Sequence, residues 1–107
     1  MEIKFRNKKL NIKNKNNTRA NFLTHWNGYV IEITPYDTSY YSDGSRKLNY
    51  EAYCIDTFGN FIYNNTQCNS ISEGLQDCFD CISEDIDKIK NQKQQIERIL
   101  ENVKDWL

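Results

Sequence analysis

The sequence predicts an α+β fold, a small antiparallel sheet of about four or five strands packed on a long carboxy-terminal helix, and three observations carry that reading. Short β-patterned runs separated by Gly-containing turns fill the first two thirds of the chain. A helix-capping sequence stands at Ser70. From Leu75 onward apolar side chains fall at alternating steps of four and three: Leu75, Phe79, Ile82, Ile86, Ile89, Ile96, Leu100, Val103 and Leu107, with Lys93 in the one polar slot. At 107 residues and without a long Pro/Gly/Ser linker, one domain is the default, β-rich over 1–69 and helical over 70–107.

Residues 3–12 alternate loosely and predict one or two short edge strands. Residues 22–26 and 29–34 flank Asn27-Gly28, the dipeptide of two-residue type I′ hairpins, whose central residues both need positive φ. Pro35 predicts the end of the second of these strands or confines its end to an edge, because it has no N–H to donate to a ladder. Residues 36–47, which contain Asp43-Gly44, then read as a loop or a second hairpin tip. Residues 48–56 and 60–65 flank Thr57-Phe58-Gly59 and give a further hairpin.

Ser70-Ile71-Ser72-Glu73 has the S-x-x-E form in which both side chains satisfy orphan backbone donors at a helix start. Glu73 and Asp77 suit the positive end of the helix dipole, and Gly74 costs about 1 kcal/mol in a helix interior. A helix from Ser70 to Leu107 runs roughly 55 Å at about 1.5 Å per residue, much longer than a strand of about 17 to 20 Å. Part of its apolar seam must therefore be buried elsewhere. Residues 75–89 are expected to cover the sheet. Ile89, Lys93, Ile96, Ile99, Leu100, Val103, Trp106 and Leu107 are expected to form an oligomer interface, with another copy of the chain as the first-choice partner.

With Phe79, Ile86, Lys93, Leu100 and Leu107 at a positions, the d positions are Leu75, Ile82, Ile89, Ile96 and Val103. Leu at a with Ile at d disfavours parallel dimers and points to trimers, tetramers or antiparallel bundles. Ile99 and Trp106, both at g, widen the stripe. Lys93 either snorkels and fixes register or marks a kink or an end in the polar stretch 91–95.

Charge is segregated along the chain. Lys4, Arg6, Lys8, Lys9, Lys13, Lys15 and Arg19 stand against one acid in residues 1–19, whereas Glu73, Asp77, Asp80, Glu84, Asp85 and Asp87 have no basic companion in residues 70–87. Five of these acids, Glu73, Asp77, Asp80, Glu84 and Asp87, recur at helical spacing opposite the apolar seam. A solvated face is the ordinary reading. The sharper one is a partner-binding acidic face, with carboxylates about 5 to 6 Å apart docking on a protein target with a basic cleft, such as a nuclease or toxin. The basic segment invites nucleic acid, but no helix-turn-helix, ribonucleoprotein aromatic motif or zinc-finger spacing accompanies it, so nucleic-acid binding is the lesser expectation.

The amino-terminal residues lack the apolar core of a secretory signal and no run approaches a membrane span. A cytoplasmic location is the default expectation, and Cys54, Cys68, Cys78 and Cys81 are then expected to be reduced. Cys78-Phe79-Asp80-Cys81 lies within the predicted helix, so buried structural thiols are the leading reading. A zinc site completed by Cys54 and Cys68, or a redox pair, follows behind it. His25 is the single histidine, beside Trp26 at a hairpin tip. No phosphate loop, metal-ligand helix or triad is present, so neither enzyme activity nor a cofactor is expected.

The runs Trp26-Asn-Gly-Tyr-Val-Ile-Glu-Ile, Tyr50-Glu-Ala-Tyr-Cys-Ile-Asp-Thr-Phe-Gly-Asn-Phe-Ile and Ser70-Ile-Ser-Glu-Gly-Leu, in this order, resemble the β-β-β-α module of HicB-like antitoxins over residues 26–89. The resemblance implies a noncatalytic protein that occludes a partner's active site. The chain departs from that pattern in the insert 36–47, the basic amino-terminal extension and a coil where such antitoxins often carry a DNA-binding domain, and no site residues transfer. The function expected from the sequence is a noncatalytic protein-binding protein, an inhibitor or antitoxin of a nucleic-acid-processing enzyme. A nucleic-acid-binding or zinc-binding accessory protein is the alternative.

Overall fold

Six strands and one long helix follow in chain order in the computed structural model, which describes residues 1–16 and 21–107. Arg19 of the basic block lies outside the described residues. The strands are β1 (Glu2–Phe5), β2 (Lys8–Asn11), β3 (Phe22–Trp26), β4 (Tyr29–Tyr40), β5 (Arg46–Ile55) and β6 (Phe61–Cys68). The helix α1 (Ile71–Asn102) follows, and a short 3₁₀ turn, Lys104–Trp106, lies beyond it. Strands β3-β4-β5-β6 form one antiparallel sheet in chain order, and β1-β2 form a separate two-stranded hairpin. The chain is thus α+β, with antiparallel sheet packed on a long carboxy-terminal helix.

Asn27 (φ 48°) and Gly28 (φ 89°) make the two-residue turn between β3 and β4, with Trp26 paired to Tyr29. Gly is required here twice over: its φ is positive, and a Cβ would run into the Thr57 methyl of the β5–β6 turn. A second turn of the same kind joins β1 to β2 through Arg6 (φ 51°) and Asn7 (φ 66°). Its sequence signal is weak, because Arg has no preference for the left-handed region and only Asn tolerates it well.

Pro35 does not end β4. The strand continues to Tyr40, and its pairing with β5 passes from Pro35↔Tyr50 to Thr38↔Leu48, so two residues oppose one in a β-bulge. The ladder with β3 stops at Phe22↔Ile33, so among the described residues β4 has a paired neighbour on one side only at Pro35. The missing N–H is therefore tolerated. The segment 36–47 is a hairpin extension turning at residues 41–45, where Tyr41 N–H donates to Ser45 O at 2.8 Å.

The helix starts as expected at Ser70, whose Oγ accepts from Glu73 N–H at 3.0 Å. Glu73 returns the contact one residue earlier than the usual box, accepting from Asn69 N–H at 3.1 Å. Leu75, Cys78, Phe79 and Ile82 face the sheet and meet Ile31, Ile33, Ala52, Cys54 and Cys68 in the core. The β1–β2 hairpin closes one end of this layer. Phe5, Trp26 and Phe79 meet edge-on, with centroids 5.1 Å (Phe5–Trp26) and 5.2 Å (Trp26–Phe79) apart. The Gln76 side-chain amide completes the free edge of β1: its Oε1 accepts from Lys4 N–H at 2.9 Å and its Nε2 donates to Lys4 O at 2.8 Å.

α1 does not kink or break at residues 91–95 but runs without interruption to Asn102. At 32 residues it is about 48 Å long. The radius of gyration is 18.4 Å and the long axis 70 Å, against about 13 Å expected for a compact chain of this length. The helix projecting beyond the sheet accounts for that excess.

Candidate interaction surface

Burial along α1 stops abruptly. Ile82 is fully buried and Ile86 half-buried, whereas Ile89 is 49 % exposed, and every residue from Glu84 to Leu107 other than Asp85, Ile86 and Val103 lies open to solvent. The apolar spacing continues past this point, and among the described residues nothing of the chain buries it. Ile96, Ile99 and Leu100 are each more than half exposed, and Trp106 and Leu107 are 88 % exposed. Val103 is partly covered and caps the helix, its N–H donating to Ile99 O at 3.0 Å. Lys93 is exposed within the stripe, its Nζ 4.0 Å from Glu97. Ile89, Lys93, Ile96, Ile99 and Leu100 lie on the part of α1 that has left the sheet, whereas Val103 caps the helix and Trp106 and Leu107 belong to the 3₁₀ turn beyond it, so the helix ends at Asn102 and not, as its spacing predicts, at Leu107.

One feature beside this stripe is absent from the sequence reading. The β5–β6 turn projects Phe58, 85 % exposed, alongside Ile89 and Ile96. Beneath Phe58 a cleft of about 240 Å³ lies between that turn and the helix, lined by Tyr29, Asp56, Asn60, Asp85, Ile89 and Gln92 among others. Its floor is fixed: the buried Tyr29 hydroxyl donates to Asp85 Oδ2 at 2.6 Å. Burial, with the Asp85 hydrogen bond behind it, holds the Tyr29 phenol well above its ordinary range. The turn itself is held by Asp56, whose Oδ1 accepts from Phe58 N–H and Asn60 N–H, both at 2.9 Å. Gly59 (φ 82°) supplies the left-handed residue there.

The acidic face is less free than its spacing suggests. Asp77 is half-buried and accepts from the Tyr63 hydroxyl at 3.0 Å. Asp80 accepts from Gln76 Nε2 at 3.0 Å, Glu73 is used in capping, and Asp87 pairs with Arg6 at 2.8 Å. Arg6 also donates to Ser83 O at 2.9 Å, so one contact joins the basic and acidic segments within the fold. Glu84 is exposed and makes no hydrogen bond or ion pair among the described residues.

Three of the thiols, Cys54, Cys68 and Cys78, are buried and Cys81 is half-buried. Desolvation raises all four above the ordinary thiol range, with Cys54 pushed up to about 12. Protonated thiols are poor nucleophiles and poor metal ligands. Among the described residues no three His, Cys, Asp or Glu side chains converge to hold a metal. His25 is exposed on the outer side of β3. Among the described residues no helix is long and apolar enough to cross a membrane.

The extended β4–β5 hairpin carries Tyr36, Tyr40, Tyr41 and Leu48, all strongly exposed. Of the two expectations for 36–47, a loop or a second hairpin tip, the hairpin is the one that forms, lengthened into an arm past Pro35 and the bulge. Comparison of the chain with protein-family models, with curated proteins and with solved structures finds no match.

Proposed function

We propose that this chain is a noncatalytic protein-binding protein that self-associates through the distal half of α1 and acts as an inhibitor or antitoxin of a nucleic-acid-processing enzyme. One observation carries the reading: a heptad-spaced apolar stripe from Ile89 to Leu100 lies exposed on a helix that has already closed its own core with Leu75, Phe79 and Ile82. Isolated helices gain little from propensity alone and rely on burying an apolar face. A contiguous apolar strip rimmed by charge marks an interaction site.

The inhibitor part of the reading draws on the exposed carboxylates of Asp80, Glu84 and Asp87, which present negative charge to a basic cleft, and on the likeness to HicB-like antitoxins. Sedimentation velocity on the intact protein and on Leu100→Asp tests self-association. An oligomer that the substitution converts to a folded monomer supports it, and a monomer in both cases refutes it. Titration of a candidate nuclease with the protein, with activity and salt dependence read together, tests inhibition. Undiminished nuclease activity at saturating protein counts against it for that enzyme.

A further inference from the structure

We propose that the partner of the distal helix is a second copy of this chain, bound antiparallel about a two-fold axis near Gln94 and Gln95, with Ile89 packed on the partner's Leu100 and Lys90 facing the partner's Glu97. The inference rests on the self-association reading above and fixes its geometry.

In antiparallel pairs a positions pack against d positions of the other helix, and e faces e while g faces g. Within α1 the stated register makes layers of Ile89 with the partner's Leu100 and Lys93 with the partner's Ile96. The e positions are Lys90, Glu97 and Lys104. This register sets Lys90 against the partner's Glu97 twice over, once on each side of the axis. A shift of one heptad in one direction sets Lys90 against the partner's Lys104 and Glu97 against the partner's Glu97. A shift in the other direction sets Lys90 against the partner's Lys90. Of these three registers only the stated one pairs opposite charges, and a shift of two heptads, which would set Glu97 against the partner's Lys104, needs seam residues beyond the end of α1 at Asn102; like-charge juxtaposition is how helices reject wrong registers.

Parallel pairing fails on two counts. It stacks Lys93 on the partner's Lys93 in one layer. It also brings two sheets onto the same side at the same end, because the sheet of each copy already stands on the seam at Leu75, Phe79 and Ile82. Antiparallel pairing separates the sheets to opposite ends.

The g side supplies an independent match. The apolar g residue Ile99 stands in the last turn of α1, and Trp106 lies on the 3₁₀ turn beyond it. In this register Ile99 faces the partner's Gln92, which lines the cleft beneath its Phe58. Each copy thus offers an exposed Phe58 and a cleft where the other offers Ile99. The Asp85 carboxylate accepts the Tyr29 hydroxyl hydrogen bond through Oδ2, which leaves Oδ1 as an acceptor at the cleft.

Dissociation constants from sedimentation equilibrium test the geometry on four proteins: the intact chain, Lys90→Glu, Glu97→Lys, and the double exchange. Each single exchange should weaken dimerisation about tenfold by placing two like-charge pairs across the axis, and the double exchange should restore it. Phe58→Ala should weaken it about fivefold while leaving the helical content unchanged, since Phe58 lies outside the core. A dimer strengthened or unaltered by Lys90→Glu, a double exchange no better than the singles, indifference to Phe58→Ala, or a trimer or tetramer overturns this geometry and leaves self-association standing. A monomer at every concentration overturns both.

Discussion

Gly74 rests against Ala52 so closely that a Cβ on the glycine would stand 2.9 Å from the Ala52 Cβ, with Ile33 Cδ1 at 3.4 Å and Cys68 Sγ at 3.5 Å. The helix approaches the sheet at its first turn because neither residue carries more than a methyl. Read from sequence, Gly74 is only a propensity cost; in the fold it sets the helix-to-sheet distance. Gly74→Ala should therefore destabilise the protein by about 1 to 2 kcal/mol, the overpacking penalty exceeding the roughly 1 kcal/mol gained in helix propensity. Urea unfolding monitored by circular dichroism checks this, and a stabilised variant would contradict the packing.

Gly28→Ala should cost about 1 to 3 kcal/mol, since it combines a left-handed φ with an overlap on the Thr57 methyl. Adding Thr57→Ser removes that methyl. The double variant should recover part of the loss and retain the backbone part, which a double-mutant cycle in denaturant resolves.

Tyr29→Phe should destabilise by about 1 to 3 kcal/mol, because the buried hydroxyl donates to the Asp85 carboxylate and hydrogen bonds to charged groups sit at the strong end of the range. Thermal unfolding of Tyr29→Phe beside Asp85→Asn provides the comparison. If the two losses simply add in the double variant, the contact carries no coupling energy.

Stability should fall as pH rises through the alkaline range. The Cys54 thiol is pushed from 9.0 to about 12, mainly by burial, and the Tyr53 phenol from 10.0 to about 12, chiefly by its hydrogen bond to Glu32. Cys78, Tyr29 and Tyr63 move the same way, each led by burial. A pKa raised on folding means the unfolded chain releases its proton first. The stability is complete below about pH 9 and is lost progressively between about pH 9 and 12. The denaturant midpoint should be nearly the same at pH 7.5 and 8.5 and clearly lower at pH 10.5, and a flat profile would contradict the burial of these groups.

The hairpin at Asn27-Gly28, the cap at Ser70 and the seam from Leu75 to Leu100 are legible because each is a local signal, set by positive φ, by orphan N–H groups and by helical period, whereas the end of α1 at Asn102, ahead of Val103 and Leu107, carries no Gly or Pro to announce it. The Arg6-Asn7 turn is not legible, because a tertiary contact of Arg6 with Ser83 and Asp87 accompanies a left-handed residue that Arg does not favour. The continuation of β4 past Pro35 depends on where β3 stops pairing, which is long-range information. The acidic stripe illustrates the same limit: spacing placed Asp77 and Asp87 on the helix, but only the fold shows Tyr63 and Arg6 occupying them. Phe58 became part of the surface because a turn from the sheet lands beside the helix, and no pattern within residues 56–60 announces that.

The central claim, that the uncovered seam of the distal helix is covered by another copy of the chain, is tested most directly by light scattering on the intact protein across a wide concentration range. A mass of twice 12.8 kDa is expected at high concentration, falling towards 12.8 kDa when Ile96 is replaced by Asp. A mass of 12.8 kDa at every concentration for the intact chain would contradict it.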